Sequence, residues 1–235
     1  MDEQNNAAPA LEARSLTLSW DDGEHIVVQD ADLRVGTGET VCLVGKSGGG
    51  KTTILHALSG LRRPLKGKVI LHGKDVTGEP GHVSYMLQKD MLLPHMRVID
   101  NVCLPLTLAG TPRKVACEKA EPLFARFGLE GAQLAWPHEL SGGMRQRAAF
   151  LRTYLMGNDV VLLDEPFSAL DALTRADMRE WYVSMARELG IASLVITHDV
   201  GEAVAMAKRV YVLQGTPGTT VEIEPKIEAI MALLD

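Results

Sequence analysis

Cysteine is scarce here: the chain has three (Cys42, Cys103, Cys117), an odd number with no CxxC spacing. That excludes a disulfide framework and a zinc knuckle, and it points to a reducing compartment. Long apolar runs are missing too. The longest uncharged stretches, 101–112 and 210–221, reach twelve residues and contain proline, whereas a membrane-spanning helix needs about 20 apolar residues. The start, MDEQNNAAPALEAR, lacks the basic end and apolar stretch of a secretory signal. Excess positive charge is also absent. Lys plus Arg number 24 against 30 Asp plus Glu, a net −6, which argues against a general binder of nucleic-acid backbones. These absences predict a soluble, cytoplasmic chain that takes no nucleic acid as partner.

What is present suffices for a globular core. The chain has 235 residues, 46% hydrophobic and 23% charged, and a chain of this size buries roughly 70–75% of its unfolded surface. The acidity is uneven. Residues 40–74 hold no acid but seven basic residues (Lys46, Lys51, Arg62, Arg63, Lys66, Lys68, Lys74), leaving −13 on the rest against +7 there. Such a stretch attracts a small polyanion.

Residues 1–10 read as a disordered tail, and 11–20 and 26–35 as strands separated by turn residues. Four short apolar runs, at 41–44, 83–86, 160–163 and 193–196, suit strands buried on both faces of a parallel sheet. Helical patterns follow the first, third and fourth, so the fold class is α/β. Residues 97–139 break the rhythm with helical patterns at 98–108, 113–127 and 129–134, a helical insertion that runs on to about 155. After Leu213 come turn signals, a strand at 219–223 and a closing helix at 227–234.

Gly45-Lys46-Ser47-Gly48-Gly49-Gly50-Lys51-Thr52 fits G-x-x-x-x-G-K-[ST], follows an apolar strand and precedes a helical run at 53–61. The glycines let backbone N–H groups turn in around phosphates, and the helix N-terminus adds positive potential. Lys51 is placed to reach the β- and γ-phosphates and the Thr52 hydroxyl to ligate Mg²⁺. A plain glycine turn also satisfies the pattern, but the flanking strand and helix are what a phosphate loop requires. The run 160–163 ends in Asp164-Glu165-Pro166. Ligands of an open parallel sheet sit beyond the carboxyl ends of the strands. Asp164 is therefore placed to hold hydrated Mg²⁺ and Glu165 to polarise water, although paired acids also occur as solvated strand ends. A third strand ends in His198, a position from which it could reach a γ-phosphate, although a histidine there more often starts a helix or lies on the surface. Leu140-Ser141-Gly142-Gly143-Met144-Arg145-Gln146-Arg147 forms a second glycine-bearing helix start, with Ser141 a good N-cap. One nucleotide does not need two such loops from one chain.

In this order the motifs resemble the ATP-binding cassette subunits of ABC transporters, over about 11–214. Residues 45–52 look like Walker A, Gln88 like the Q-loop glutamine, and 140–147 like the ABC signature. Residues 160–165 resemble Walker B, Ser168-Ala169-Leu170-Asp171 the D-loop, and His198 the switch histidine. Trp20 stands where the family stacks an aromatic on adenine. Residues 140–147, 164–175 and 197–203 look most like the nitrate/sulfonate/taurine importer group. The resemblance implies a P-loop NTPase (RecA-like) core with an N-terminal antiparallel β subdomain and an inserted α-helical subdomain at about 97–155. It also implies a C-terminal extension at 215–235.

The same resemblance implies Mg²⁺-dependent ATP hydrolysis. Glu165, His198 and Lys51 would be catalytic; Thr52, Gln88 and Asp164 would hold Mg²⁺. Trp20, Gly45, Lys46, Ser47, Gly48, Gly49, Gly50, Lys51, Thr52, Thr53, Gln88 and Asp164 would bind ATP, with Ser141, Gly142 and Gly143 closing on it in trans. The implied partners are a second copy packed head to tail, membrane permease subunits docked on the helical insertion, and a substrate-binding protein. The subunit would then lie on the cytoplasmic face of the membrane through its permease. An exporter ATPase, a cassette of a soluble machine and an ATP-binding subunit that does not hydrolyse are the rival readings.

Overall fold

A computed structural model describes residues 8–21 and 23–234; residues 1–7 of the expected tail and Asp22 fall outside the described residues. In chain order the elements are β1 (Leu11–Ser19), β2 (Ile26–Val35), β3 (Thr40–Gly45), α1 (Lys51–Leu58), β4 (Lys66–Leu71), β5 (Lys74–Asp75) and β6 (Ser84–Met86). Then follow α2 (Val98–Leu108), α3 (Arg113–Arg126), α4 (Gly142–Tyr154), β7 (Val160–Asp164), α5 (Ala172–Leu189) and β8 (Ala192–Thr197). The chain closes with α6 (Val200–Met206), β9 (Arg209–Gln214), β10 (Thr219–Ile223) and α7 (Ile227–Leu234).

The four apolar runs become neighbours. One sheet has the order β10-β9-β3-β8-β7-β6, parallel from β9 to β6, with β10 antiparallel at its edge. Side chains of a strand point alternately to the two faces, and here both faces are covered. Val41 and Leu43 of β3 join one buried cluster with Leu162 and Ile196, while Cys42 and Val44 join the other with Leu163 and Val195. That explains the continuous apolar runs, since neither face has a solvated half. A second sheet, antiparallel in the order β2-β1-β4-β5, closes over the first cluster together with α1. The chain between β6 and β7 is helical, and its α4 reaches the core through Phe150, whose ring lies 4.9 Å from Tyr182 of α5. Phe150 is buried, and truncating a buried Phe to Ala costs about 3–5 kcal/mol.

Three features depart from the sequence reading. Residues 129–134, expected as helix, form successive turns. Carbonyls at 133–135 serve another helix: Val98 and Ile99, in the first turn of α2, donate to Ala135 and Gln133 oxygens at 3.0 Å each. A helix start has orphan N–H groups that must be satisfied, and this stretch satisfies two of them. No strand was expected at β4 or β9. The sequence of β4, KGKVIL, is half polar because only part of it is covered, and β9 is recognisable as a strand only once it pairs with β3. The basic stretch 40–74 is divided, with Lys46 and Lys51 at the loop after β3, while Lys68 pairs with Asp75 at 3.0 Å in the other sheet. No helix among the described residues is long and apolar enough to cross a membrane.

Candidate functional site

Sheet order assembles the site. The loop 45–52 leaves the carboxyl end of β3, His198 that of β8, Asp164-Glu165 that of β7, and Gln88 follows β6. These are four adjacent strands, spaced about 4.8 Å apart. Residues spread over more than 150 positions thus meet along one edge.

The phosphate-loop geometry comes from its glycines. Gly50 takes φ 104° as it turns the chain into α1, a conformation that side chains resist. A Cβ on Gly45 would meet the Leu213 carbonyl oxygen at 3.0 Å. The Gly49 amide donates to Lys46 O at 3.1 Å, closing the loop. The Lys51 ammonium donates to Gly45 O at 2.8 Å and Lys46 O at 3.0 Å. Its pKa is lowered by burial, against the opposing pull of Glu165 and Asp164. Thr52 is exposed and donates to Asp164 Oδ2 at 3.1 Å, while Thr53 is buried and its side chain lies outside the polar cluster.

Asp164 is buried, and burial raises its pKa; hydroxyls of Thr52 and of Tyr85, the latter at 3.2 Å, pull the other way. Lys51 and Asp164 are thus two buried opposite charges, and the Lys51 bonds go to backbone carbonyls. The arrangement favours a polyanion at the lysine and a hard cation at the carboxylate. A hydroxyl oxygen beside a carboxylate is a donor set that suits Mg²⁺.

Next to Asp164, Glu165 sits at φ 44°, left-handed for a residue with a side chain, with its amide held by Ile196 O at 3.0 Å. Backbone strain of this kind costs about 1–3 kcal/mol and collects where a side chain must be aimed. The Glu165 Oε2 oxygen accepts from Gln88 Nε2 at 3.1 Å and lies 3.2 Å from His198 Nδ1. Gln88 Nε2 also reaches Ser168 Oγ at 3.3 Å, and Ser168 donates to Glu165 O at 2.9 Å. Gln88, Glu165 and His198 therefore form one cluster, joined by Ser168.

The structure does not bring every candidate together. Ser141 caps α4, accepting from Met144 N at 3.2 Å. Among the described residues, no hydrogen bond joins 141–143 to the phosphate loop. Trp20 is 60% exposed, with the Arg62 guanidinium 5.6 Å from its ring. Its hairpin closes through Trp20 N to His25 O at 3.2 Å, and β2 then presses Val27 and Val28 onto Gly50. The tryptophan thus flanks the loop without touching the Glu165 cluster.

Four polar residues of the site were not singled out from sequence. Tyr85 bonds Asp164; its signal was a phenol near the end of an apolar run. Ser168 lay within the D-loop resemblance. Gln146, buried in α4, donates to the carbonyl of Pro166 and so ties the signature helix to the turn after β7. Arg175 donates to Leu170 O at 2.9 Å and lies 3.7 Å from Asp199 and 3.8 Å from Glu202. It links the segment after Glu165 to the one after His198. Nothing local in the sequence marks these last two contacts.

Comparison with known proteins gives the family and the fold. A family model described as ABC transporter matches residues 28–168. The chain is 38% identical over 208 residues to the formylaminopyrimidine import ATP-binding protein ThiZ of Halalkalibacterium halodurans, covering 87% of this chain and 81% of that one. It is 40% identical over 197 residues to the nitrate import ATP-binding protein NrtD of Synechocystis sp. (84% and 74% covered). To the aliphatic sulfonates import ATP-binding protein SsuB of Shigella flexneri it is 42% identical over 191 residues (81% and 72% covered). Its fold superposes with a TM-score of 0.76 and 25% identity on the dimeric, post-hydrolysis structure of the ATP-binding cassette MJ0796 bound to ADP and Pi, covering 92% of this chain and 99% of that one.

Proposed function

Because this chain belongs to the ABC transporter family, as its ATP-binding cassette, we propose that it is the ATP-hydrolysing subunit of an importer for small anionic or polar solutes of the nitrate and sulfonate type. Cassettes of this family bind and hydrolyse ATP. The importer reading is supported by the names of the relatives, which span nitrate, sulfonates and formylaminopyrimidine. The exporter and soluble-machine readings gain no such support.

The observation that carries the catalytic reading is the Gln88–Glu165–His198 cluster, gathered from the ends of the three strands next to the one that carries the Lys51 and Thr52 loop. In this reading residues 45–53 wrap the phosphates, with Lys51 leaving its two carbonyls for the β- and γ-oxygens, and Trp20 stacks on the base. Thr52, Asp164 and Gln88 would hold Mg²⁺, which when bound offsets charge on the phosphates. Glu165 orients and deprotonates water, Gln88 holds the Glu165 carboxylate, and His198 contacts the γ-phosphate. Phosphoryl transfer of this kind is positioning and electrostatics.

Ser141, Gly142 and Gly143 would complete the site of a second copy, packed head to tail. The dimeric relative supports a homodimer. We take 11–214 as the cassette, with the helical part at 97–155 inserted and 215–235 as an extension. A separate permease and a substrate-binding protein complete the transporter, which holds the subunit at the cytoplasmic membrane face.

Steady-state hydrolysis by the purified chain tests this. The rate should vanish with EDTA, and the rate per chain should climb with chain concentration as dimers form. A per-chain rate that stays constant down to concentrations where sedimentation shows only monomer would overturn the composite site. ATP-dependent uptake of nitrate or an alkanesulfonate by proteoliposomes holding the subunit and its permease, with the substrate-binding protein supplied, tests the solute class.

A further inference from the structure

We propose that Cys103 and Cys117 form an oxidation site, a dithiol that closes to an intramolecular disulfide between α2 and α3 under hydrogen peroxide. Of the three cysteines, Cys42 is sealed inside the sheet. The other two face each other across the α2–α3 hairpin, with sulfurs 3.7 Å apart. A disulfide requires about 2.05 Å between sulfurs and permits Cα separations of several ångströms. The remaining approach is one that side-chain rotation and a slight helix shift provide. The two helices already pack against each other, and a tight turn at Gly110 (φ 90°) joins them.

The thiols are unequal, which sets the order of events. Cys103 is 1% exposed, and burial, together with the neighbouring Cys117 sulfur, pushes its thiol up to about 12. Cys117 is half-buried and meets solvent. Arg113, one turn before Cys117 and 2.6 Å from Asp100, opposes the upward shift at Cys103. The Cys117 thiolate attacks the peroxide O–O bond, giving a sulfenic acid and hydroxide, which takes up a proton as water. The Cys103 sulfur then attacks the sulfenic sulfur; the S–S bond forms, the S–O bond breaks, and the Cys103 proton leaves with the oxygen as a second water. Two thiols and one peroxide become one disulfide and two waters.

The site is independent of the catalytic cluster but not remote from surface features. Leu104, Pro105 and Leu108 of α2 line an apolar groove with Leu87, beside Gln88. A cross-link at Cys103, next to Leu104 in that wall, would hold α2 to α3.

Treating the full chain with hydrogen peroxide should lower the thiols titrated after denaturation from three to one, and dithiothreitol should restore three. Trypsin, cutting after Arg113 and Lys114, should leave two peptides joined only by the Cys103–Cys117 bond. Amide exchange in α2 and α3 should slow in the oxidised form, and Cys117→Ser should abolish the cross-link while leaving basal ATP hydrolysis unchanged. Should Cys103→Ala misfold, Cys42→Ser provides the second variant and should still form the bond. Persistence of three thiols, conversion of Cys117 to sulfinic acid without a cross-link, or a bond between two chains would each overturn the proposal.

Discussion

Two helices of this chain start at glycines, and they start in opposite ways. The N-cap of α1 is Gly50, left-handed and without a side-chain cap, so nothing of the chain's own occupies the first-turn amides. Lys51 is buried there, and Thr52 reaches Asp164. The N-cap of α4 is Ser141, extended, exposed, and spending its hydroxyl on Met144 N. The glycines that follow serve packing: a Cβ on Gly142 would meet Leu170 at 3.3 Å, and one on Gly143 would meet Thr174 at 3.2 Å. Both termini carry the same positive potential. Only α1 has a lysine, a hydroxyl and a carboxylate gathered in front of it by neighbouring strands. The lesson is that a helix start becomes a nucleotide site through what the sheet places opposite it. In the proposed head-to-tail dimer, those groups would reach α4 from a second copy.

The first way to test that contrast removes the chemistry while leaving the α1 site intact. Glu165→Gln should lower steady-state hydrolysis by about 10²–10⁴-fold, the usual worth of a positioned general base, while ATP binding persists and dimers accumulate in sedimentation. Wild-type turnover in this variant would remove Glu165 from its role.

The second test separates the two helix starts onto different chains. Lys51→Ala spoils α1 and Ser141→Arg spoils α4, and either homodimer should be inactive. Mixed one to one, they should recover roughly a quarter of the wild-type rate by random assortment of a symmetric dimer, because one of two sites in each mixed dimer is intact. Absence of recovery would mean that the two helix starts work within one chain.

The third test concerns the charge facing α1. Burial holds the Asp164 carboxyl above its ordinary range. A raised carboxyl pKa favours the folded state at low pH, and that advantage is lost as pH rises through the folded value. Without nucleotide and with EDTA, Asp164→Asn should therefore melt higher than wild type near neutrality, and the gap should narrow toward pH 4.5. It should also lose the Mg²⁺ dependence of nucleotide binding. A gap independent of pH would show that the buried charge is not the cause.

The smallest effect belongs to the cap. Ser141→Ala removes one hydrogen bond at an exposed helix start and should cost about 1 kcal/mol, lowering Tm by roughly 2–4 °C. A null result in calorimetry would show that α4 is held by its packing on α2, α5 and β6 without help from the cap.

Local pattern settled much of this molecule. The apolar runs at β3, β6, β7 and β8 were visible because a strand covered on both faces must be apolar throughout. The loop 45–52 was visible because its glycines serve one backbone geometry. β4 escaped notice because its cover is partial, and 129–134 looked helical because its apolar spacing gave no hint that its carbonyls face α2. In the site, Lys51, Asp164, Glu165 and His198 were legible as residues at strand ends. Their grouping was not, since it depends on the order β3-β8-β7-β6, which no local spacing encodes.

The alternation of short apolar runs with helical patterns was enough to fix the α/β class, and the order of the motifs carried the resemblance to the family. Those are properties of short-range spacing and of motif order along the chain. Only the tertiary structure decided that the basic stretch splits between two sheets, that Gln88 and His198 both converge on one oxygen of Glu165, that Gln146 and Arg175 brace the site, and that two of three cysteines touch. Each of these pairs residues far apart in the chain or on different elements. Their contact is set by how strands order and helices pack, and by which buried polar groups are left to find one another.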